Sequence, residues 1–440
     1  MKQYLKTSNK YIFVAQENIT EKFSYGKVFL LGFGFFGISI IWSIYNSYVP
    51  IFLKNLGLAA WLVGFIMTID NIFAVVLLPY IGALSDVTRT RIGRRKPYIL
   101  LGAPPAALTF ALISLFRGDL SLMMITILIM NFSMALFRSP VIAFMPDITP
   151  SEKRSQANGI INFMGGIGSL LAFFVGSILY KKDPSYPFIA SAVVMLVACL
   201  LVVLLVDEPE QFKVKTETIS FGELLRKSFR ESFSELASNL REAFTSREKS
   251  LLFMLTSIFL WFIGYNAIET FFTSYAKYYL GIGEATGSFI LGFVALGFLI
   301  FSLPAGFIGA RLGRKRTMTL GLLIIVALLF VATSFPSKLV GNQLILAFEA
   351  VFFVIGMAWA LVNVNSLPTV VDMTTREKLG TYTGLYYFAS QLASIIAPPM
   401  AGLFIDLSGY SVLLPYSITF LVLSAATLQL VQRGEPRRGY

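Results

Sequence analysis

The sequence predicts an all-α membrane protein with twelve transmembrane helices in two six-helix parallel repeats and both termini in the cytoplasm. Three observations carry that expectation. Charge is too sparse to cover a soluble globule, twelve apolar runs are long enough to cross a bilayer, and groups of residues recur at a near-constant offset between the two halves.

Charge comes first. Of 440 residues, 56% are hydrophobic and only 14% charged, and the mean hydropathy is +0.73. A soluble domain carries about 25% charged residues because its surface faces water. Much of this chain's surface must therefore face lipid. The formal charge of +12 does not point to nucleic acid, because the basic residues sit in short loops between apolar runs, where they orient membrane helices.

A run of about 20 apolar residues crosses the hydrocarbon core. Twelve such spans lie near 27–50, 60–84, 98–117, 120–146, 156–180, 186–206, 249–276, 285–309, 316–335, 342–370, 380–404 and 410–431. They divide the chain into a polar tail (1–26), a first bundle (27–206), a linker (207–248), a second bundle (249–432) and a short tail (433–440). Residues 1–26 are too polar for a signal peptide and read as cytoplasmic. In the linker, Phe221, Leu225, Phe229, Phe233, Leu236, Leu240 and Phe244 recur at helical spacing among charges, which predicts an amphipathic helix along the cytoplasmic face.

Loop charge sets the orientation. The loops after spans 2, 4, 8 and 10 hold thirteen basic residues: Arg89, Arg91, Arg94, Arg95, Lys96, Lys153, Arg154, Arg311, Arg314, Lys315, Arg316, Arg376 and Lys378. The opposite loops hold six: Lys54, Arg117, Lys181, Lys182, Lys277 and Lys338. The first set is therefore expected in the cytoplasm, with both termini.

The halves resemble each other. Tyr45-Asn46 recurs as Tyr265-Asn266 and Gly93-Arg94 as Gly313-Arg314, both at an offset of 220. Asp147, Glu152, Lys153 and Gly159 recur as Asp372, Glu377, Lys378 and Gly384 at an offset of 225. Six spans per half makes the repeats parallel, an arrangement that puts a binding site at mid-depth between the halves and allows alternating access.

Several chemistries are excluded. Without histidine, a zinc-hydrolase site, a histidine relay and a Ser-His-Asp triad are impossible, so proton chemistry falls to carboxylates. The single cysteine, Cys199, has no partner for a disulfide or metal cluster. The sequence holds no Gly-x-Ser-x-Gly motif, metal-ligand cluster or phosphate loop. An enzyme is not expected, nor a cofactor or bound metal.

The loop after span 2 runs from Gly82 through Asp86, Arg89, Gly93, Arg94, Arg95 and Lys96 to Pro97. An acid at a helix end facing arginines in a tight turn can latch helices in one state and release them in another. Gly306 to Lys315 repeats the glycines and the base pattern, but Ala310 stands where the acid is expected. This pair of loops resembles the signature of the major facilitator superfamily, which implies the major facilitator fold. Pro79, Ser85-Asp86, Thr88-Arg89, Arg91 and Gly93 to Pro97, with Met145, Asp147, Thr149, Glu152 and Arg154 after span 4, resemble the sucrose/proton symporters. More distantly they resemble the glycoside–pentoside–hexuronide:cation symporters, to which melibiose permease belongs. The resemblance implies sugar or glycoside uptake coupled to a cation, with Gly82, Asp86, Arg89, Gly93, Arg94, Asp147, Arg154, Gly313 and Arg314 as the conformational latch. Two departures disfavour the melibiose-type sodium site and leave a proton as the coupling ion. Ala74 and Leu78 stand where that group has acids in span 2, and Gln391 stands for its lysine in span 11.

A charge at mid-membrane costs roughly 2.5–3.5 kcal/mol and marks a pathway by default. Four ionisable residues lie well inside spans: Asp70, Arg138, Glu269 and Glu349. Spans 4, 7 and 10 line the cavity in the fold that the chain resembles. Arg138 cannot give up its proton and suits hydroxyl recognition or holding a carboxylate. Asp70 is the carboxylate nearest to it in depth, roughly 8 Å along the normal at about 30 Å per span. A carboxyl group drawn out of water favours its protonated form, so Asp70 or Glu269 is expected to carry the coupling proton. Sugar sites combine aromatic rings with amides and acids. The candidates are Trp42, Tyr45, Asn46, Trp261, Tyr265, Asn266, Trp359, Asn363 and Gln391, with the repeated Tyr-Asn pair the sharpest signal.

Together these residues point to a proton-coupled importer of a disaccharide or glucoside in the plasma or inner membrane, working as a monomer. An exporter of drugs or other apolar solutes is the alternative; the 41 phenylalanines allow a greasy pocket, and the form of the 79–97 loop disfavours it.

Overall fold

A computed structural model describes residues 24–150, 153–209, 248–374 and 379–434. The expected linker helix falls on 210–247, and most of the N-terminal tail, Glu152, Arg376, Glu377 and Lys378 also lie outside the described residues.

Every expected span is a helix. Span 1 is Tyr25–Asn55, span 2 is Ala60–Met67 continued by Ile69–Val87, span 3 Lys96–Leu115, span 4 Leu120–Ile148, span 5 Arg154–Lys182 and span 6 Tyr186–Leu205. In the second half, span 7 is Ser250–Tyr278, span 8 Glu284–Leu312, span 9 Arg314–Ala332, span 10 Gly341–Val371, span 11 Leu379–Ser408 and span 12 Leu413–Gln429. All twelve meet the length and apolarity needed to cross a bilayer, and no strand occurs among the described residues. Lipid offers the backbone no hydrogen bonds, so helices that satisfy their own N–H and C=O groups are the form such runs take. Spans 5, 8, 10 and 11 run one to four residues past the apolar windows at each end, because a helix continues into the headgroup zone where polar residues are welcome. Asp119, for example, caps span 4 by accepting from the Leu122 N–H at 3.0 Å.

Packing repeats between the halves. Span 1 packs on spans 5 and 6, span 2 on span 4, and span 3 on spans 4 and 6. Span 7 likewise packs on spans 11 and 12, span 8 on span 10, and span 9 on spans 10 and 12. The halves meet through spans 2 and 11, 5 and 8, and 1 and 7. Glycines set these approaches where lipid gives no hydrophobic drive. A methyl group on Gly168 of span 5 would strike the Phe36 carbonyl of span 1, and one on Gly64 of span 2 would strike the Pro398 carbonyl of span 11.

Two faces follow from this topology. The basic face carries the loops at 88–95 and 372–374; the opposite face carries those at 56–59, 183–185, 279–283 and 409–412. Contacts joining the halves cluster toward the opposite face. There Asp406, at the end of span 11, accepts from the Ala60 and Trp61 backbone N–H groups of span 2, both at 2.8 Å. Tyr180 of span 5 donates to Glu284 of span 8 at 3.2 Å, and Lys277 pairs with the same carboxylate at 3.3 Å. Tyr278 donates to Asn55 at 2.8 Å, and the hydroxyls of Ser47 and Ser288 lie 3.1 Å apart.

Candidate functional site

Span 2 is interrupted at Thr68, whose hydroxyl turns back to the Phe65 carbonyl at 2.8 Å. Such i−3 bonding competes with the helix and bends it. The interruption places Asp70 in the first turn of the second helical piece, where exposed N–H groups favour a negative charge. Asp70 receives one side-chain hydrogen bond, from the adjacent Asn71 amide at 3.0 Å.

Asp70 faces a small cavity within the first half. It is lined from span 1 by Trp42, from span 2 by Asp70, Ala74 and Leu78, and from span 4 by Asn131, Met134, Ala135 and Arg138. In this conformation it has room for roughly one water, not for a sugar ring. The two positions that an acid would occupy in a melibiose-type sodium site, Ala74 and Leu78, lie on the same face as Asp70, at helical spacings of four and eight. Asp70 is therefore the carboxylate that span 2 offers to this cavity.

Arg138 lies with its guanidinium carbon 6.0 Å from the centre of the Trp42 ring, within reach of a cation–π attraction. It shares the cavity with Asp70, and each feels the other's charge without a direct salt bridge. Trp42 meets Tyr45 edge-on at 5.5 Å. The Tyr45 hydroxyl turns toward Asn131, and neither side chain makes a hydrogen bond of ordinary geometry. Trp42 Nε1 is also buried without a partner. A buried polar group left unbonded costs about 1–3 kcal/mol, so this corner of the first half is a set of polar atoms awaiting a partner.

The second half arranges its candidates differently. Tyr265 stacks flat on Trp359 at 4.2 Å with 4° between the rings, and Phe262 meets the same indole edge-on at 5.7 Å. Trp359 is only 5% exposed, so its faces are occupied by neighbouring rings and Trp42 is the more open platform. Asn266 donates to Ser394 of span 11 at 3.0 Å. Its repeat equivalent, Asn46, crosses to the other half and donates to Glu269 at 3.1 Å. The repeated Tyr-Asn pair thus has two fates: one copy braces the second half, the other bridges both halves. Asn363 is half-buried on span 10, and Gln391 has a buried Oε1 with no partner on span 11; neither lines the cavity of Asp70 and Arg138. Trp261 is fully buried, and Glu349 is half-buried near the opposite face.

The latch residues assemble at the basic face. Asp147, at the end of span 4, accepts from Arg94 Nε at 3.1 Å and Arg95 Nε at 2.8 Å, with its side chain 8% exposed. Arg95 also bonds the Ser85 hydroxyl and Asp86, and Arg89 folds back on the Thr88 carbonyl at 2.8 Å. Gly82 approaches Ser139 of span 4, and Arg154 is exposed at the start of span 5. These bonds join spans 2, 3 and 4 of the same half. In the second half Arg314 pairs with Asp372 and donates to the Pro368 carbonyl at 3.0 Å. An arginine–aspartate pair therefore persists beside Gly313 although Ala310 replaces the loop acid. Three residues of this architecture carry no sequence signal of their own: Asn131, Asp406, and Glu208, whose carboxylate accepts from the Arg94, Arg95 and Lys96 N–H groups at 2.7, 2.8 and 2.9 Å.

Twelve spans in two repeated halves, with ionisable groups at mid-depth, define a membrane transporter. The chain belongs to the Major Facilitator Superfamily, whose model matches residues 31–398 and again 275–438. Among curated relatives, it is 26% identical over 180 residues to the proton-associated sugar transporter A of Rattus norvegicus, a match covering 38% of this chain and 24% of that protein. It is 23% identical over 176 residues to the sucrose transport protein SUC3 of Arabidopsis thaliana, covering 35% of this chain and 30% of the relative. The matches thus span about a quarter to a third of those relatives' lengths. Among solved structures, a nucleoside transporter, NupG, superposes with a TM-score of 0.68 at 15% identity over 93% of this chain and 99% of that one, a likeness of fold alone.

Proposed function

We propose that the chain is a secondary active transporter that takes up a sugar, a disaccharide or glucoside, together with protons by alternating access. The observation that carries this reading is the cavity where Asp70 and Arg138 meet the Asn131 amide and the Trp42 indole, neither in a hydrogen bond of ordinary geometry, inside a twelve-span bundle. A guanidinium and amides recognise hydroxyls, an indole face suits the C–H side of a ring, and a carboxylate beside them can carry a proton. A greasy solute would leave every one of these polar groups unbonded, which speaks against export of apolar compounds. The printed functions of the two curated relatives, proton-associated sugar transport and sucrose transport, favour the same substrate class and ion.

In this proposal the thirteen-to-six excess of basic loop residues puts the basic face and both termini in the cytoplasm. The contacts clustered at the opposite face then close the outer side. Asp70 takes up the proton, Arg138 responds to the loss of its charge, and the Asn46–Glu269 bridge reports across the halves. The Arg94–Asp147 and Arg314–Asp372 pairs brace the cytoplasmic ends of the two bundles as they rock. The protein resides in a plasma or inner membrane and works as a monomer.

Uptake of labelled sugars, headed by sucrose and maltose, into proteoliposomes with an imposed inward proton gradient tests the reading. Accumulation of one sugar that collapses with a protonophore is expected. Absence of uptake for the whole panel, with sodium tried as well, would overturn it.

A further inference from the structure

Asn131 is 2% exposed, lines the cavity of span 4, and has neither Nδ2 nor Oδ1 in a hydrogen bond. Two other amides, buried Asn365 and half-buried Asn266, show what a structural role looks like. Asn365 donates to the Ala305 carbonyl of span 8 at 3.2 Å, and Asn266 to Ser394 of span 11 at 3.0 Å. Each ties one helix to another. Asn131 faces only the Tyr45 hydroxyl of span 1, without a hydrogen bond of ordinary geometry, and native proteins rarely leave a buried amide so poorly satisfied.

Its surroundings say what it awaits. Trp42 Nε1 and the Tyr45 hydroxyl are unbonded in the same corner. Asn131 lies eleven residues in from the start of span 4, and Asp70 ten residues in from the start of span 2, so the two share one depth. Arg138 is seven residues further along span 4, about 10 Å at 1.5 Å per residue and on the same helical face. The combined inventory is rich in donors, with the amide oxygen and the Asp70 carboxylate as acceptors. An apolar ligand satisfies none of it. An anion would meet Arg138 but be repelled by Asp70. Neighbouring hydroxyls, each able to donate and accept, match a primary amide that offers one donor edge and one acceptor.

We infer that Asn131, beside Trp42, forms a subsite that binds a pair of adjacent sugar hydroxyls and selects for their presence. The inference rests on the sugar-transport reading above. A ring enters this corner once Arg138 lifts from Trp42. A site built to hydrogen-bond a hydroxyl rejects an analogue lacking it far more strongly than an apolar pocket does, because its own polar groups are then left unbonded.

The full chain in proteoliposomes tests this, using wild type, Asn131→Leu and Asn131→Gln. Each is given the sugar that the wild type takes up from the sucrose and maltose panel, and then monodeoxy analogues of that sugar. For Asn131→Leu the KM should rise ten-fold or more, and the preference for the parent sugar over one monodeoxy analogue should disappear. Its melting temperature in detergent should hold or rise, because an unbonded amide has been replaced by an apolar side chain of similar size. A lowered melting temperature with unchanged KM and unchanged discrimination, in both variants, would make Asn131 a structural residue and overturn the inference. Full discrimination retained by a stable Asn131→Leu would mean that the amide holds only water, and would overturn it equally. If the wild type takes up no sugar at all, the transport reading fails and the subsite with it, an outcome distinct from the other two.

Discussion

Asp70 and Glu269 are both intramembrane carboxylates, yet their surroundings differ in a way that separates their roles. Glu269 accepts from Asn46 across the two halves, a bond that a glutamine could also accept. Asp70 sits at the cavity wall with Arg138 and takes a bond only from its neighbour Asn71. Asp70→Asn is therefore expected to abolish proton-driven accumulation while leaving sugar exchange across the membrane at equal concentrations, which counterflow measures. Glu269→Gln should retain much of its accumulation if the carboxylate serves the bridge, and lose it if Glu269 carries the proton. Full accumulation in both variants would sink the coupling scheme. At this scale the sequence is partly legible. Charged residues in apolar runs announce themselves, so Asp70, Arg138 and Glu269 stand out. Asn131 does not, since an uncharged amide becomes a site only when it meets Trp42 and Tyr45 from span 1 and the Asp70 face of span 2. The two copies of the Tyr-Asn pair are visible, but their different partners are not, because Glu269 has no acidic counterpart at Val49 in the first half.

Two helix N-termini are capped by carboxylates from distant parts of the chain, and they differ in whether the bond is permanent. Glu208, just beyond span 6, closes the start of span 3 within one half. Gly93, at φ +113°, makes room for it, and a methyl group there would fall on the Glu208 carboxyl. Asp406 closes the start of span 2 from the other half. A cap inside a rigid bundle should govern stability, and a cap between moving bundles should govern which state is populated. Glu208→Ala is thus expected to destabilise the protein by about 1–3 kcal/mol, as buried donors lose their acceptor, and Gly93→Ala should act in the same direction. Thermal unfolding in detergent measures both. Asp406→Ala should change unfolding less and instead raise the labelling of single cysteines placed in spans 2 and 11 toward the opposite face. Equal losses of stability with unchanged labelling would remove the distinction. The helices themselves are legible because length and hydropathy suffice to define a span. The caps are not, since Glu208 reads as the first polar residue of a linker and Asp406 as the acid that ends an apolar run.

For the whole molecule, alternating access requires the contacts of the opposite face to break and re-form in every cycle. The helices packed within each half, 1 on 5 and 6 or 7 on 11 and 12, move as units in the proposed rocking cycle. Separation must therefore fall between spans 2 and 11, 5 and 8, and 1 and 7. Ser47 of span 1 and Ser288 of span 8 meet across the same boundary between the halves, buried, with hydroxyls 3.1 Å apart. Sulfur atoms at these positions come within reach of a disulfide, which needs Cβ atoms about 3.5–4.5 Å apart. The native Cys199 is buried in span 6 and is replaced by serine as a precaution. A Ser47→Cys, Ser288→Cys double variant should cross-link under mild oxidant, lose nearly all transport, and recover when a reductant opens the bond, while each single variant stays active under both conditions. The cross-link tests the rocking itself and is independent of which solute is carried. Cross-linked protein that still transports at the full rate would mean that the halves do not part along this seam, and the repeated packing would then describe a rigid body whose gate lies elsewhere.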